Sequence, residues 1–215
     1  MSEPRPFLVG IAGGTGSGKS TLVRALTAIL GADRVAALSH DSYYCDRSPL
    51  PAAQRTTVGY DAPEALDTEL FLEDLMALRA GRTIRPPRYC FSTHRRAGVD
   101  APVEPRQIVL ADGVLLLHDP RVRALLDLTI FLDVPDATRL SRRIRSDVSE
   151  EPRPRRSGLS VYDAIKGGSH ARYVEPTKAL ADLVLLNVGR VDQLAEIASS
   201  VILDRVDRRA RGAAA

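Results

Sequence analysis

The stretch "PFLVGIAGGTGSGKSTL" (residues 6–22) runs from an apolar segment through a glycine-rich loop into a helix-forming segment. An ordered interior glycine costs up to about 1 kcal/mol relative to alanine, so five glycines between Gly10 and Gly18 imply a backbone that something approaches very closely. Gly13, Gly18, Lys19 and Ser20 satisfy the pattern G-x-x-x-x-G-K-[ST]. In that pattern the loop amides, here Gly13, Gly14, Thr15, Gly16, Ser17, Gly18, Lys19, Ser20 and Thr21, curl around phosphate oxygens. The lysine reaches the outer phosphates and the Ser20 hydroxyl ligates magnesium. The helix from Ser20 points its positive end at the same anion. These residues point to a nucleoside triphosphate, ATP or GTP, bound with Mg2+.

A strand feeding a phosphate-binding loop and then a helix restricts the chain to α/β architectures. Continuous apolar runs recur at 7–12, 34–39, 107–112, 128–134 and 182–186, as expected of strands buried on both faces. Helical patterns lie between them, at 20–30, 67–79, 135–147 and 191–203. That alternation predicts a three-layer P-loop fold, a parallel sheet with helices on both faces. At 215 residues, one domain over 1–204 buries roughly 70% of its unfolded surface, and 205–215 forms a basic, solvated tail. Two proline-rich or glycine-broken segments interrupt the alternation: a loop-rich insertion at about 43–105 with one helix, and an arginine-rich lid at about 146–174. Both are expected to wall a site above the sheet.

Composition excludes several classes. Cys45 and Cys90 are too few for a disulfide framework, and the apolar start is too short for a signal peptide or membrane span, so a reducing cytoplasm is expected. A net charge of +3 suits a phosphate-bearing ligand and is too mild for a nucleic-acid binder. No membrane partner is expected.

Two acids stand where strands end. Asp112 closes "IVLAD" and can hold a magnesium shell beside Ser20, or cap the next element. Asp41, in "SHDSYY", follows the second strand, where ligands bind in open α/β sheets. Its carboxylate can accept the proton of an attacking hydroxyl, or cap a turn.

With "HDSYY", "GYDAPEALD", "PPRYCFSTHRR", "VLADGVLLL", "RLSRRIRSDV" and "YVEPTKALADLVL" following the glycine loop in order, the chain resembles the uridine kinase family of P-loop nucleoside kinases from about Phe7 to Leu203. The resemblance implies ATP-dependent phosphorylation of the 5′-hydroxyl of uridine, and of cytidine, in pyrimidine salvage. It implies that Asp41 activates the hydroxyl, with Tyr44 in the same motif, and that Asp61 holds ribose hydroxyls. It implies also that Tyr89 and His94 grip the pyrimidine and that the lid arginines Arg143 and Arg153 cover the phosphates. It further implies a homo-oligomer, a tetramer or dimer.

The sequence departs from the family in the lid. Ser146 and Glu151 stand where arginines are usual, Val161 where glutamine is, and "KGGSH" replaces a more apolar turn. Asp112 replaces a glutamate. The alternatives are a kinase of another small alcohol, of the phosphoribulokinase-like or pantothenate kinase-like kind, and a non-catalytic nucleotide-binding protein.

Overall fold

The computed structural model describes residues 5–55, 62–149 and 168–213. In chain order the strands are β1 (Phe7–Ala12), β2 (Val35–Ser39), β3 (Pro87–Cys90), β4 (Arg95–Val99), β5 (Ile108–Gly113), β6 (Leu128–Asp133) and β7 (Leu183–Leu186). The helices are α1 (Lys19–Leu30), α2 (Ala52–Arg55), α3 (Thr68–Arg79), α4 (Pro120–Leu125), α5 (Asp136–Ser149) and α6 (Val191–Ala213).

Every residue of β1 is buried, because strand alternation sends side chains to two covered faces. Leu8 and Ala12 join one apolar cluster with Phe71, Leu75 and Leu78 of α3 and Val122 of α4. Val9 and Ile11 join the other with Leu22 and Leu26 of α1 and Ala198 and Ile202 of α6. The main sheet is wholly parallel in the order β2-β5-β1-β6-β7, so β1 sits at its centre between β5 and β6. Three layers result, and the loop after β1 emerges mid-sheet at the carboxyl ends of the strands.

Three features differ from the sequence expectation. The insertion carries an antiparallel hairpin, β3–β4, instead of loop plus one helix alone. Helix α4 starts on Asp119, whose side chain accepts from the Arg121 amide, with Pro120 in the first turn. Helix α6 runs ten residues past Leu203 into the basic segment, because Arg209 donates to Asp127 (3.2 Å) and to the Arg5 carbonyl (2.7 Å), and Val206 is buried. Asp127 also pairs with Arg5 and Arg79, so one carboxylate ties both ends of the described chain to the sheet. Among the described residues no helix is long and apolar enough to cross a membrane.

Asp67 joins the layers to the hairpin: its side chain caps α3 through the Leu70 amide (3.2 Å) and pairs with Arg96 of β4 at 2.9 Å. Asp67→Ala removes both contacts and should cost about 1–2 kcal/mol, read as a lowered urea midpoint at unchanged slope. An unchanged midpoint would show that the cap carries no stability.

Candidate active site

Residues Gly13–Thr21 form the turn after β1 and the first residues of α1, as expected. Lys19 is buried and folds back, its Nζ donating to the carbonyls of Gly13 (3.0 Å) and Gly14 (3.2 Å). Gly16 has φ +75°, and a Cβ there would stand 2.5 Å from the Arg139 carbonyl oxygen. On Gly14 a Cβ would run into the Arg139 guanidinium. Two of the loop's glycines are thus required by the protein's own packing from α5. Asn187, after β7, donates from Nδ2 to the Ser17 carbonyl at 2.8 Å and braces the opposite flank.

Beside the loop, Ser20 Oγ donates to Asp112 Oδ2 at 3.2 Å. Asp112 ends β5 and is buried, which pushes its carboxyl up to about 6; the charge of Asp41 adds to the rise, while Lys19 and hydrogen bonds from Ser20 and Ser39 oppose it. Asp41 lies in the tight turn His40–Tyr43 that follows β2. Its flanking residues are pinned to α3. The His40 ring packs on Phe71 (centroids 4.3 Å), and Tyr43 meets the same ring edge-on and donates its hydroxyl to Asp74 at 2.6 Å. Among the described residues neither ring nitrogen of His40 has a hydrogen-bond partner, and full burial lowers its pKa to about 4.

The hairpin β3–β4 brings an aromatic cluster to the same end of the molecule. Tyr44, Tyr89 and Phe91 form a ring cluster with centroids 5.1–5.6 Å apart. Phe91, the first residue of the turn after β3, was missed at the sequence level, where it sits inside the loop-like run "PPRYCFSTHRR". His94 is buried at the hairpin turn with φ +56°, a left-handed conformation that a non-glycine residue adopts only where its surroundings enforce it. Arg96 fastens this hairpin to the Asp41 segment, donating to the Tyr44 carbonyl (3.2 Å) and to Asp67. Asp61 and Arg153, and the altered lid positions Glu151 and Val161, lie outside the described residues, as do the side chains of Arg143 and Ser146.

The profile of the Phosphoribulokinase / Uridine kinase family matches residues 8–194. A uridine kinase of Clostridium perfringens is 40% identical over 181 residues, spanning 84% of this chain and 87% of that protein. One of Ligilactobacillus salivarius is 34% identical over 207 residues, covering 96% and 97%. Among solved structures, a Silicibacter kinase whose name ties it to a fructose transport system superposes with TM-score 0.67 at 26% identity, covering 85% of this chain and 91% of its own. The chain belongs to the phosphoribulokinase / uridine kinase family.

A kinase of this family works with a divalent cation beside the triphosphate, and the residues fit one. A hydroxyl and a buried carboxylate 3.2 Å apart are hard oxygen donors. Among the described residues no group of three or more His, Cys, Asp or Glu could hold a metal, so phosphate oxygens and water would complete the shell.

Two arginines of this family member's α5 run were not anticipated. Arg139 is 2% exposed, ion-paired with Asp136 at 2.5 Å and packed on Gly14 and Gly16. Arg142 reaches the carbonyls of Ser17 (3.5 Å) and Asn187 (3.3 Å). Next to Arg139 a cavity of about 340 Å³ opens between Gly14, the end of β6, Asp136, His170 and Glu175.

The two perturbed groups at the strand ends give opposite pH responses. Asp112, raised from 3.8 to about 6, disfavours the fold above pH 6 and stops doing so as pH falls toward 4. His40, lowered from 6.5 to about 4, costs stability over nearly the same interval as pH falls, because only the unfolded chain takes up the proton. Asp112→Asn should therefore stabilise the empty protein at pH 7.5 by up to about 3 kcal/mol, a gain that shrinks toward zero near pH 4. Urea denaturation at pH 7.5, 5.5 and 4.5 checks this, and a pH-independent difference would refute the buried-carboxylate assignment.

Proposed function

We propose that this chain transfers the γ-phosphoryl group of ATP to the 5′-hydroxyl of uridine, giving UMP and ADP. The observation that carries the reading is the three-ring cluster of Tyr44, Tyr89 and Phe91 beside buried His94, on a hairpin fastened to the segment that bears Asp41. Aromatic faces suit a planar base, and an imidazole nitrogen can pair with a base-edge oxygen or amine. A sugar phosphate would instead call for more basic side chains there. The uridine kinases described above support the same acceptor.

In this reading Asp41 takes the proton of the 5′-hydroxyl as its oxygen bonds to the γ-phosphorus. The bond from that phosphorus to the β,γ-bridging oxygen breaks, and ADP leaves. Lys19 swings from the carbonyls of Gly13 and Gly14 to the outer phosphates. The amides of Gly13–Thr21 hold the phosphates, Ser20 and Asp112 would hold a magnesium ion, and Arg143 and Arg153 cover the phosphoryl group in flight. When bound, the ion neutralises charge on the β- and γ-oxygens. Asp61 holds the ribose. Cytidine as a second acceptor, GTP as an alternative donor, a role in pyrimidine salvage in the cytoplasm, and assembly as a tetramer or dimer belong to the same proposal.

Asp41→Asn should bind Mg-ATP with unchanged affinity and lose 10²- to 10⁴-fold in kcat, about what a positioned general base contributes. Turnover at the parent rate would remove Asp41 from that role. ADP release across uridine, cytidine, adenosine, guanosine, ribulose 5-phosphate and pantothenate, with products identified by mass, tests the acceptor. His94→Ala should raise KM for the pyrimidine nucleoside more than tenfold at unchanged KM for ATP. Turnover only with ribulose 5-phosphate or pantothenate would replace the nucleoside reading.

A further inference from the structure

His170 has no part in the chemistry above, yet it touches the phosphate-binding loop. It opens the turn His170–Val174, where the chain comes back to the sheet, and a Cβ added to Gly14 would lie 2.9 Å from its Cε1. The imidazole thus lies against the loop backbone in an almost closed setting, with its side chain 12% exposed.

Among the described residues, the charged groups around it lie on the following turn, on α5, at the end of β6 and on the loop. Its Nε2 is 3.3 Å from Glu175 Oε2, on the following turn. From α5 come Arg139, which packs on the same glycine, and Asp136, the partner of Arg139. At the end of β6, Asp133 is held by Lys178 at 2.5 Å, and Lys178 also approaches Glu175 at 3.9 Å. From the loop itself, the Lys19 amine bonds the Gly14 carbonyl. Burial and the Arg139 charge hold His170 below the ordinary histidine range, while Glu175 and Asp136 pull the other way. A group balanced in this way responds to new charge nearby. A magnesium triphosphate seated in the loop adds net negative charge on the far side of the backbone that His170 touches, and no reorganisation is needed for the imidazole to feel it.

We propose that His170 is a positioning residue for the phosphate-binding loop, taking up a proton when a triphosphate fills the loop and, as an imidazolium paired with Glu175, holding the returning turn against Gly14. The inference rests on the loop's being a nucleotide site.

Calorimetric titration of full-length protein with Mg-AMPPNP at pH 7.5, in two buffers of different ionisation enthalpy, tests it. Asp112 is already ionised at that pH, and the nucleotide's own phosphate titration is common to all variants. The parent protein should take up more protons per site than His170→Gln at pH 7.5, and its Kd should weaken more than the variant's between pH 6.5 and 8.5, by up to about fivefold for a one-unit shift. The Cε1 proton resonance of His170 in the parent protein, followed against pH with and without the analogue, gives the same information without a substitution, and its midpoint should rise on binding. Equal proton uptake in parent and variant, or a midpoint that does not move, would overturn the proposal. Failure of the parent protein to bind the analogue at all would overturn the nucleotide reading itself.

Discussion

The packing of α5 against the phosphate-binding loop is the constraint on which the site depends. A loop rich in glycine is a poor structural element in isolation, since its backbone entropy is high and its amides point inward with nothing to bond. Here it is held from outside. The backbone carbonyl of Arg139 abuts Gly16, its guanidinium lies on Gly14, and Asn187 and Arg142 bond the Ser17 carbonyl from the opposite flank. The glycines thus answer two demands. Some leave room for phosphate oxygens, and at least Gly14 and Gly16 leave room for the protein itself. Preorganisation of this kind means that phosphate binding need not order the loop, so binding energy is left for aligning the acceptor.

The same economy appears at the strand ends, where charge is concentrated in a dry place. Burial and the charge of Asp41 make ionised Asp112 costly, Lys19 is occupied with the loop's own carbonyls, and His40 is buried with both nitrogens unbonded among the described residues. The burial of Asp112 and the unbonded nitrogens of His40 cost the empty protein stability. Each makes sense when a cation and a polyphosphate complete the set of charges, because a buried carboxylate awaiting a cation binds it without first shedding water. The pH dependences of His40 and Asp112 nearly cancel over the same interval, so a flat acid profile of the parent protein would conceal two strained groups.

Much of the scaffold could be read from the chain itself. The five strands of the main sheet and the helices at 19–30, 68–79 and 136–149 follow from apolar runs and their spacing, and Ser20 bonds Asp112, but the run at 182–186 is an edge strand with only Leu185 buried, not one covered on both faces. What escaped notice has identifiable causes. The hairpin β3–β4 has mixed exposure and prolines at its start, so neither alternation nor a continuous apolar run marks it. The last ten residues of α6 look like a frayed basic tail because the anchor, Asp127, lies 82 residues from Arg209. Arg139 was hidden among four arginines in "RLSRRIR", and only the helix phase relative to the loop separates the one that packs on Gly14 from its neighbours.

The hairpin's place in the architecture also bears on how a single phosphoryl-transfer scaffold can serve different acceptors. The loop, Ser20 and Asp112 are fixed by the central strands β1 and β5, the least adjustable part of the molecule. Tyr89, Phe91 and His94 sit on a two-stranded unit outside the main sheet, joined to the turn after β2 by the packing of Tyr44 on Tyr89 and Phe91 and by the bonds of Arg96 to Tyr44 and Asp67. Changes in the hairpin need not disturb the register of β1 and β5, whereas loss of Arg96 would loosen the ring cluster from the turn that carries Asp41. In the nucleoside reading proposed above, acceptor choice and phosphate chemistry then reside in different structural units, and the Arg96 guanidinium sets the position of one relative to the other.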